Sequence, residues 1–398
     1  MAKNPLINEI SENYKILNFL GQGTYGYVVK CLKQDTGEIV AVKALKERNS
    51  KHSDISEVTT LDKLRLLDPD KNNIIRCLEW FHRCDRTFMV FEKLDVSLFD
   101  YMCQQEWVPL PLSGIRIVIR DVATALTALK DLGLIHTDLK LDNILLVHHQ
   151  MLPFRVKLID FGLTLETFEA KPLSNIQPLW YRSPEIILGL PFNQAIDVWS
   201  LGAVMSMMLL GFSLFQGRHE YDLLRLIVDL LGEPPRRLLN GGLNTPLFCH
   251  GRRKYRMLMH WRVMTTTEFH AGTGIRPQER KEYPCSSLEA LKTICQHQED
   301  SADAADRNAC VELLKEMLQV DPKCRITPNS ILAHPFITRG DFGTGNSCPP
   351  QAVQGHTTNP PKAVGGREIA DVSNPKRKKK KKAIRGFFSS LKTCCVCI

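Results

Sequence analysis

The body of this 398-residue chain lacks a charge imbalance. Nine of the 52 Lys and Arg residues, and none of the 43 Asp and Glu residues, fall between 376 and 398, so the first 375 residues hold 43 of each sign. The net charge of +9 therefore describes a tail, and a body without a basic excess is poorly suited to direct nucleic-acid binding. Residues 1–10 lack an apolar signal stretch. The 13 cysteines lack paired metal-ligand spacing and are scattered singly, apart from Cys394, Cys395 and Cys397. Together these absences argue against zinc and against a secreted disulfide framework; a reducing, intracellular location with mostly buried free thiols is expected. No repeat recurs at solenoid periods. Long apolar runs are scarce too. Residues 198–217 carry no charge and have the length of a membrane span, but three Gly, three Ser and a Gln, with Asp197 just before, fit a helix buried in a protein core better.

What is present divides the chain in two. Up to Leu94, short β-rich runs at 14–20, 27–32, 39–45, 74–81 and 87–92 alternate with turns, with one helical stretch at 54–67. Asp35-Thr36-Gly37 reads as a hairpin turn, so the opening is expected to be an antiparallel sheet with one inserted helix. Beyond Asp95 the period becomes helical, clearest in residues 115–132 with apolar positions at 115, 118, 119, 122, 126 and 129. Two short β runs, 144–147 and 155–159, joined by a turn around 151–153, are expected as a hairpin on this helical body. The fold class is thus α+β, with a small antiparallel β lobe at about 14–94 and a larger, mainly helical lobe at about 95–338. Residues 339–375 are too poor in large apolar side chains to repay the entropy of ordering and are expected to be a flexible linker.

Gly21-Gln22-Gly23-Thr24-Tyr25-Gly26 can bring backbone N–H groups close to phosphate oxygens. It runs into the strand-like Tyr27-Val28-Val29-Lys30-Cys31 rather than a helix, so it caps a hairpin; alone, it is also compatible with an ordinary Gly-rich turn. Val40-Ala41-Val42-Lys43 puts a lysine on the next strand, and Glu57 lies within the inserted helix. Read singly, Lys43 could be a solvated strand lysine and Glu57 a capping residue three after Asp54. The informative run is His136-Thr137-Asp138-Leu139-Lys140-Leu141-Asp142-Asn143, followed after the short hairpin by Asp160-Phe161-Gly162. Phosphoryl transfer needs these types: oxygen ligands for Mg²⁺, cations on phosphate oxygens and a carboxylate near the attacking hydroxyl. A second Asp341-Phe342-Gly343 has no catalytic loop before it and is assigned no function.

Taken in order with Ser183-Pro184-Glu185, these motifs resemble the signature set of the eukaryotic protein kinases over residues 14–338. Asp197-Val198-Trp199-Ser200-Leu201-Gly202 resembles the start of that fold's buried central helix. Gly133-Leu134-Ile135-His136, the run from Pro184 to Phe192, Glu220-Tyr221-Asp222 and Thr273-Gly274-Ile275 resemble one family more closely, the homeodomain-interacting protein kinases, relatives of the dual-specificity tyrosine-regulated kinases.

The resemblance implies a two-lobed serine/threonine protein kinase acting in signalling. It would use ATP and Mg, with protein substrates that in the wider group commonly carry proline after the target residue. It implies Gly21, Gly23 and Gly26 over the phosphates, Lys43 on the α and β phosphates, Glu57 holding Lys43, Asp138 as base and Lys140 on the γ-phosphate. Asn143 and Asp160 would hold Mg²⁺. Phe91, at the rear of the adenine pocket, the backbone of Glu92 and Leu94, and Val28, Ala41 and Leu145 complete the implied nucleotide site. Glu185 and Arg325 would form a structural ion pair, and Asp197 would anchor the catalytic loop. The alternative is a catalytically quiet, ATP-binding scaffold.

Thr137 stands where many kinases carry an arginine that receives a loop phosphate, Asn175 where these relatives carry a self-phosphorylated tyrosine, and Leu179 where they carry arginine. Activity independent of loop phosphorylation is therefore expected. In the tail, Lys376 to Lys382 precede Ile384, Phe387, Phe388 and Leu391 at helical spacing, and Cys395-Val396-Cys397-Ile398 resembles a prenylation box. An anionic membrane surface is the expected target of this tail, with nuclear import as the alternative.

Overall fold

The computed structural model describes residues 10, 12–23, 26–45, 51–84, 86–254, 258–279, 287–294 and 301–339. Residues 340–398, which hold the expected linker, the tail and the second Asp-Phe-Gly run, lie outside the described residues. The opening half builds strands β1 (Tyr14–Gln22), β2 (Gly26–Lys33) and β3 (Ile39–Leu45), helix α1 (Lys51–Leu64), then β4 (Cys77–Arg83) and β5 (Arg86–Glu92). The strands form one sheet in the order β1-β2-β3-β5-β4, every neighbour antiparallel. Alternation gives it two unlike faces. Val40, Val42 and Ala44 pack with Val29, Cys31, Phe88 and Val90, while Ala41 and Lys43 turn the other way.

Three boundaries differ from the sequence expectation. Helix α1 begins three residues earlier, and it also ends three residues earlier because the chain leaves the helix before Pro69, which disfavours helical geometry in the residue it follows; Leu66 is left exposed. The apolar run from residue 74 does not start strand β4. Ile74 instead bridges Leu158 in parallel, and the Ile75 N–H donates to the Leu158 carbonyl at 3.0 Å, so these residues dock on the larger lobe. The small hairpin turns at 149–151, with Pro153 already inside a strand.

The second half contains α2 (Leu98–Gln104), α3 (Leu112–Asp131), β6 (Leu134–Ile135), β7 (Ile144–His148), β8 (Leu152–Leu158), β9 (Leu165–Glu166), α4 (Pro184–Ile187), α5 (Ala195–Leu210), α6 (Glu220–Leu231), α7 (Arg236–Gly241), α8 (Thr245–Phe248), β10 (Cys249–Lys254), β11 (Leu258–Val263), α9 (Thr266–Thr273), α10 (Leu291–Ile294), α11 (Ser301–Met317), α12 (Pro328–Leu332) and α13 (Pro335–Thr338). All six apolar positions that define the period of α3 are buried. The uncharged window lies in α5 only as far as Leu210, and that helix is buried on every side from Ile196 to Leu209. It stops at Gly211, whose φ of 74° and approach to the Trp107 carbonyl, 2.1 Å from where a Cβ would sit, admit no side chain. Among the described residues no helix is long and apolar enough to cross a membrane. The described cysteines are free thiols: Cys31, Cys249 and Cys310 are buried, and Cys84 and Cys324 exposed. Burial pushes Cys31 and Cys249 up to about 11.

Candidate active site

The strand register brings the expected nucleotide residues to one face. Lys43 lies opposite Val28 on β2 and Met89 on β5, and Ala41 lies opposite Phe91, so Val28, Ala41, Lys43 and Phe91 share the face that the hydrophobic core does not use. Gly21 and Gly23 face open space, and the Gly23 N–H closes the hairpin on the Gly26 carbonyl at 2.9 Å. Gly26 is needed for a different reason: a Cβ there would sit 2.2 Å from the Ala44 carbonyl oxygen, so packing against β3 enforces this glycine.

Lys43 Nζ stands 2.6 Å from Glu57 Oε1 and 2.8 Å from Asp160 Oδ1. The pair with Glu57 fixes α1 against the sheet. Burial opposes the Lys43 charge, but the Asp160 and Glu57 carboxylates outweigh it and hold its pKa above the ordinary lysine value. Against its own burial, Asp160 is held below the usual carboxylate range by Lys43. Asp160 adopts φ 60°, and Phe161 behind it is buried edge-on against the His136 ring.

The loop after β6 is pinned from beneath. Buried Asp197 accepts the N–H groups of His136 at 2.7 Å and Thr137 at 3.0 Å. His136 Nδ1 accepts the Asp138 N–H, so Nε2 carries the ring proton toward the Ile159 carbonyl at 3.0 Å. Asp138 is then held on both sides: Asn143 Nδ2 donates to its carbonyl at 2.8 Å and to Oδ2 at 2.9 Å, and Lys140 Nζ lies 3.0 Å from Oδ2. Burial works against the Lys140 charge and Asp138 more than offsets it, so Lys140 is shifted upward. With both Nδ2 hydrogens of Asn143 committed, Oδ1 is its remaining ligand atom. A hard oxygen there and a carboxylate at Asp160 suit Mg²⁺, which takes few protein ligands and completes its shell with phosphate and water.

At the adenine end, the Leu94 carbonyl accepts from the Lys93 ammonium, while its N–H has no partner among the described residues. The Glu92 N–H is already given to the Arg76 carbonyl at 3.1 Å. Leu145, on β7, is half-buried beside the Ser97 bridge.

Several residues that hold the site went unnoticed in the sequence. Lys157 on β8 is buried and pairs with Glu92 at 2.5 Å and Asp70 at 2.7 Å, tying the segment between the lobes to the strand that leads to Asp160. Lys63 on α1 pairs with Glu166 on β9 at 2.6 Å. Thr137 donates to the Leu163 carbonyl at 2.6 Å, and its own carbonyl accepts the Gln177 N–H at 3.0 Å. The buried Gln177 amide reaches the Ile196 carbonyl, Ser200 Oγ and the Ser183 N–H, each within 2.9 Å. Arg182 donates to the Gln177 carbonyl from Nε at 3.2 Å and Nη2 at 2.8 Å, to Asn175 Oδ1 at 3.0 Å and to Glu220 at 2.8 Å. Its place inside Tyr181-Arg182-Ser183-Pro184-Glu185 was the available signal. Glu185 and Arg325 pair as expected, at 2.7 and 2.9 Å and shut off from solvent.

A protein kinase domain model matches residues 14–337. The chain is 41% identical to homeodomain-interacting protein kinase 2 of Mesocricetus auratus over 85% of its own length and 29% of that protein. It is 40% identical to the mouse kinase 1 of the same name over 85% of the chain and 28% of the relative, and 38% identical to the human kinase 4 over 83% and 56%. The chain thus spans under a third of the first two relatives and just over half of the third. With the match covering most of its length, the chain belongs to the protein kinase domain family.

Proposed function

We propose that the chain is a serine/threonine protein kinase that transfers the γ-phosphate of Mg-ATP to hydroxyls of protein substrates. The observation that carries this is the joint geometry of Lys43, held between Glu57 and Asp160, and Asp138, held between Asn143 and Lys140. Mg²⁺ at Asn143 Oδ1 and Asp160 would neutralise charge on the phosphate oxygens. Lys43 orients the α and β phosphates, and Lys140 offsets charge on the group in transfer. Asp138, its carboxylate fixed by two partners, takes the proton from the incoming hydroxyl, a role worth about 10²–10⁴ in rate. Transfer to a Ser-Pro peptide by the purified chain, lost in Asp138→Ala, is the expected result. ATP binding without transfer would favour the scaffold.

Gln177 has φ 62°, and both acceptor positions of its carbonyl are taken by Arg182. A substrate residue running past it finds no acceptor for its N–H, whereas proline has none to strand, which supports a preference for Ser-Pro over Ser-Ala of about tenfold. The contacts of Thr137, Asn175 and Gln177 also support a segment that is set without a phosphate. For the tail we keep the membrane reading, on the basic run and the apolar residues after it; co-sedimentation with phosphatidylserine vesicles, lost when Lys376 to Lys382 become Gln, is the test.

A further inference from the structure

Away from the cleft, β10 and β11 form an antiparallel ribbon with His250 opposite Arg262, Gly251 opposite Trp261, and Arg252 opposite His260. Side chains alternate along a strand, so the ribbon has two faces of different character. One is consumed internally. The Trp261 ring and the Met259 methyl cover Gly251, where a Cβ would meet them at 2.8 and 2.6 Å, and the Trp261 indole donates to Asn240 of α7 at 2.8 Å. The other face presents His250, Arg252, His260 and Arg262, all exposed. Arg262 is taken by Glu268, at 2.7 Å from Nη1, at the start of α9. The side chains of His250, Arg252 and His260 make no hydrogen bond or ion pair among the described residues, their ladder bonds being of the backbone alone. Residues 249–263 hold five Arg and Lys and no Asp or Glu, although the first 375 residues are balanced in charge. No carboxylate of the ribbon itself compensates Arg252.

We propose that this face docks an extended acidic segment of a partner protein. Charge complementarity selects the sign. The spacing selects the form: alternate side chains of an extended peptide recur about every 7 Å, the same interval that separates His250 from Arg252, so carboxylates at every second position meet the ribbon in register. A single-stranded nucleic acid would also bring negative charge, but it is held by aromatic platforms beside the basic groups, and the ribbon's tryptophan lies on the opposite face.

The test does not depend on phosphate transfer. A fluorescein-labelled peptide of about ten residues, Glu at every second position, is titrated with the full chain and followed by anisotropy. Arg252→Glu with His260→Glu is expected to weaken binding about tenfold, and Arg252→Gln about twofold to threefold. The basic tail contributes equally to all three proteins, so the ribbon's share is the difference between them. A photo-cross-linking version of the peptide is expected to label residues 249–263. Unchanged affinity in both variants, labelling confined to the tail, or tighter ribbon-dependent binding of oligothymidylate overturns the proposal. Thermal melting checks that the variants are folded; if the double variant melts early, Arg252→Gln decides alone.

Discussion

Around Lys43 and Asp138 the side chains are placed by opposite charges: Glu57 and Asp160 on one lysine, Lys140 on the neighbouring carboxylate. Where Thr137 meets the segment from Leu163 to Ser183, most of the holding is done by neutral groups, the Thr137 hydroxyl on the Leu163 carbonyl and the Gln177 amide on Ile196 and Ser183, while Arg182 donates to Asn175 Oδ1 and to the Gln177 backbone carbonyl. Charges suit the first region because, in the proposed transfer, they act on phosphate as well as on one another. Neutral contacts suit the second because they neither require a phosphate nor gain from one. An arginine awaiting a phosphoryl group would be an open switch, and Arg182 already has Asn175, the Gln177 carbonyl and Glu220.

The contrast can be broken from its charged side first. Lys43→Met leaves Glu57 and Asp160 facing each other uncompensated and is expected to lower kcat by about a thousandfold; Lys43→Arg should recover little, since a planar fork cannot copy a point charge between two carboxylates. Steady-state phosphate transfer measures both. Glu185→Ala strands the Arg325 charge in the interior and should cost about 3–5 kcal/mol, read from urea unfolding. On the neutral side, Gln177→Leu removes partners from the Ser183 N–H and the Ile196 carbonyl, for about 1–3 kcal/mol, with the Ser-Pro preference falling in the same protein. Thr137→Val should cost about 1 kcal/mol. Smallest of all is the effect of phosphatase: less than about a twofold change in activity, where a phosphate-dependent segment would lose most of it.

The pH behaviour sharpens the same distinction. Lys43 is raised above its ordinary 10.5, so its share of stability is complete below that value and is lost only as pH climbs through the raised pKa. Asp160 is depressed below 3.8, so its share is complete above that value and is lost as pH falls through the lowered pKa. Between those limits, unfolding free energy should show no step from this pair.

Much of this was legible in the sequence because the motifs assigned to phosphate are short and local. Lys43, Asp138, Asn143 and Asp160 each sit in a run of residues whose types the chemistry restricts, and the alternation of residues 39–45 already separates Lys43 from the core. What was hidden depends on contacts between distant segments. Nothing adjacent to Lys157 reveals that Asp70, 87 positions earlier, will meet it. The apolar run from residue 74 has a strand-like composition whether it joins the sheet or docks on β8. The ribbon of β10 and β11 escaped because its basic residues resemble a solvated charge run, and only the pairing of Gly251 with Trp261 shows that one side is covered.

The pairing of Lys157 also bears on how the cleft can move. It clamps Glu92, the last residue of β5, and Asp70, from the turn after α1, to the strand that ends two residues before Asp160. The end of β5 therefore travels with the larger lobe rather than swinging with the sheet. Any yawning of the two lobes has to be taken up on the sheet side of that clamp, because the residues that follow are bound to the larger lobe as well: the Asp95 N–H donates to the Leu146 carbonyl at 2.9 Å and Ser97 bridges Leu145. Opening of the cleft is then a bending of the sheet against a fixed inner edge.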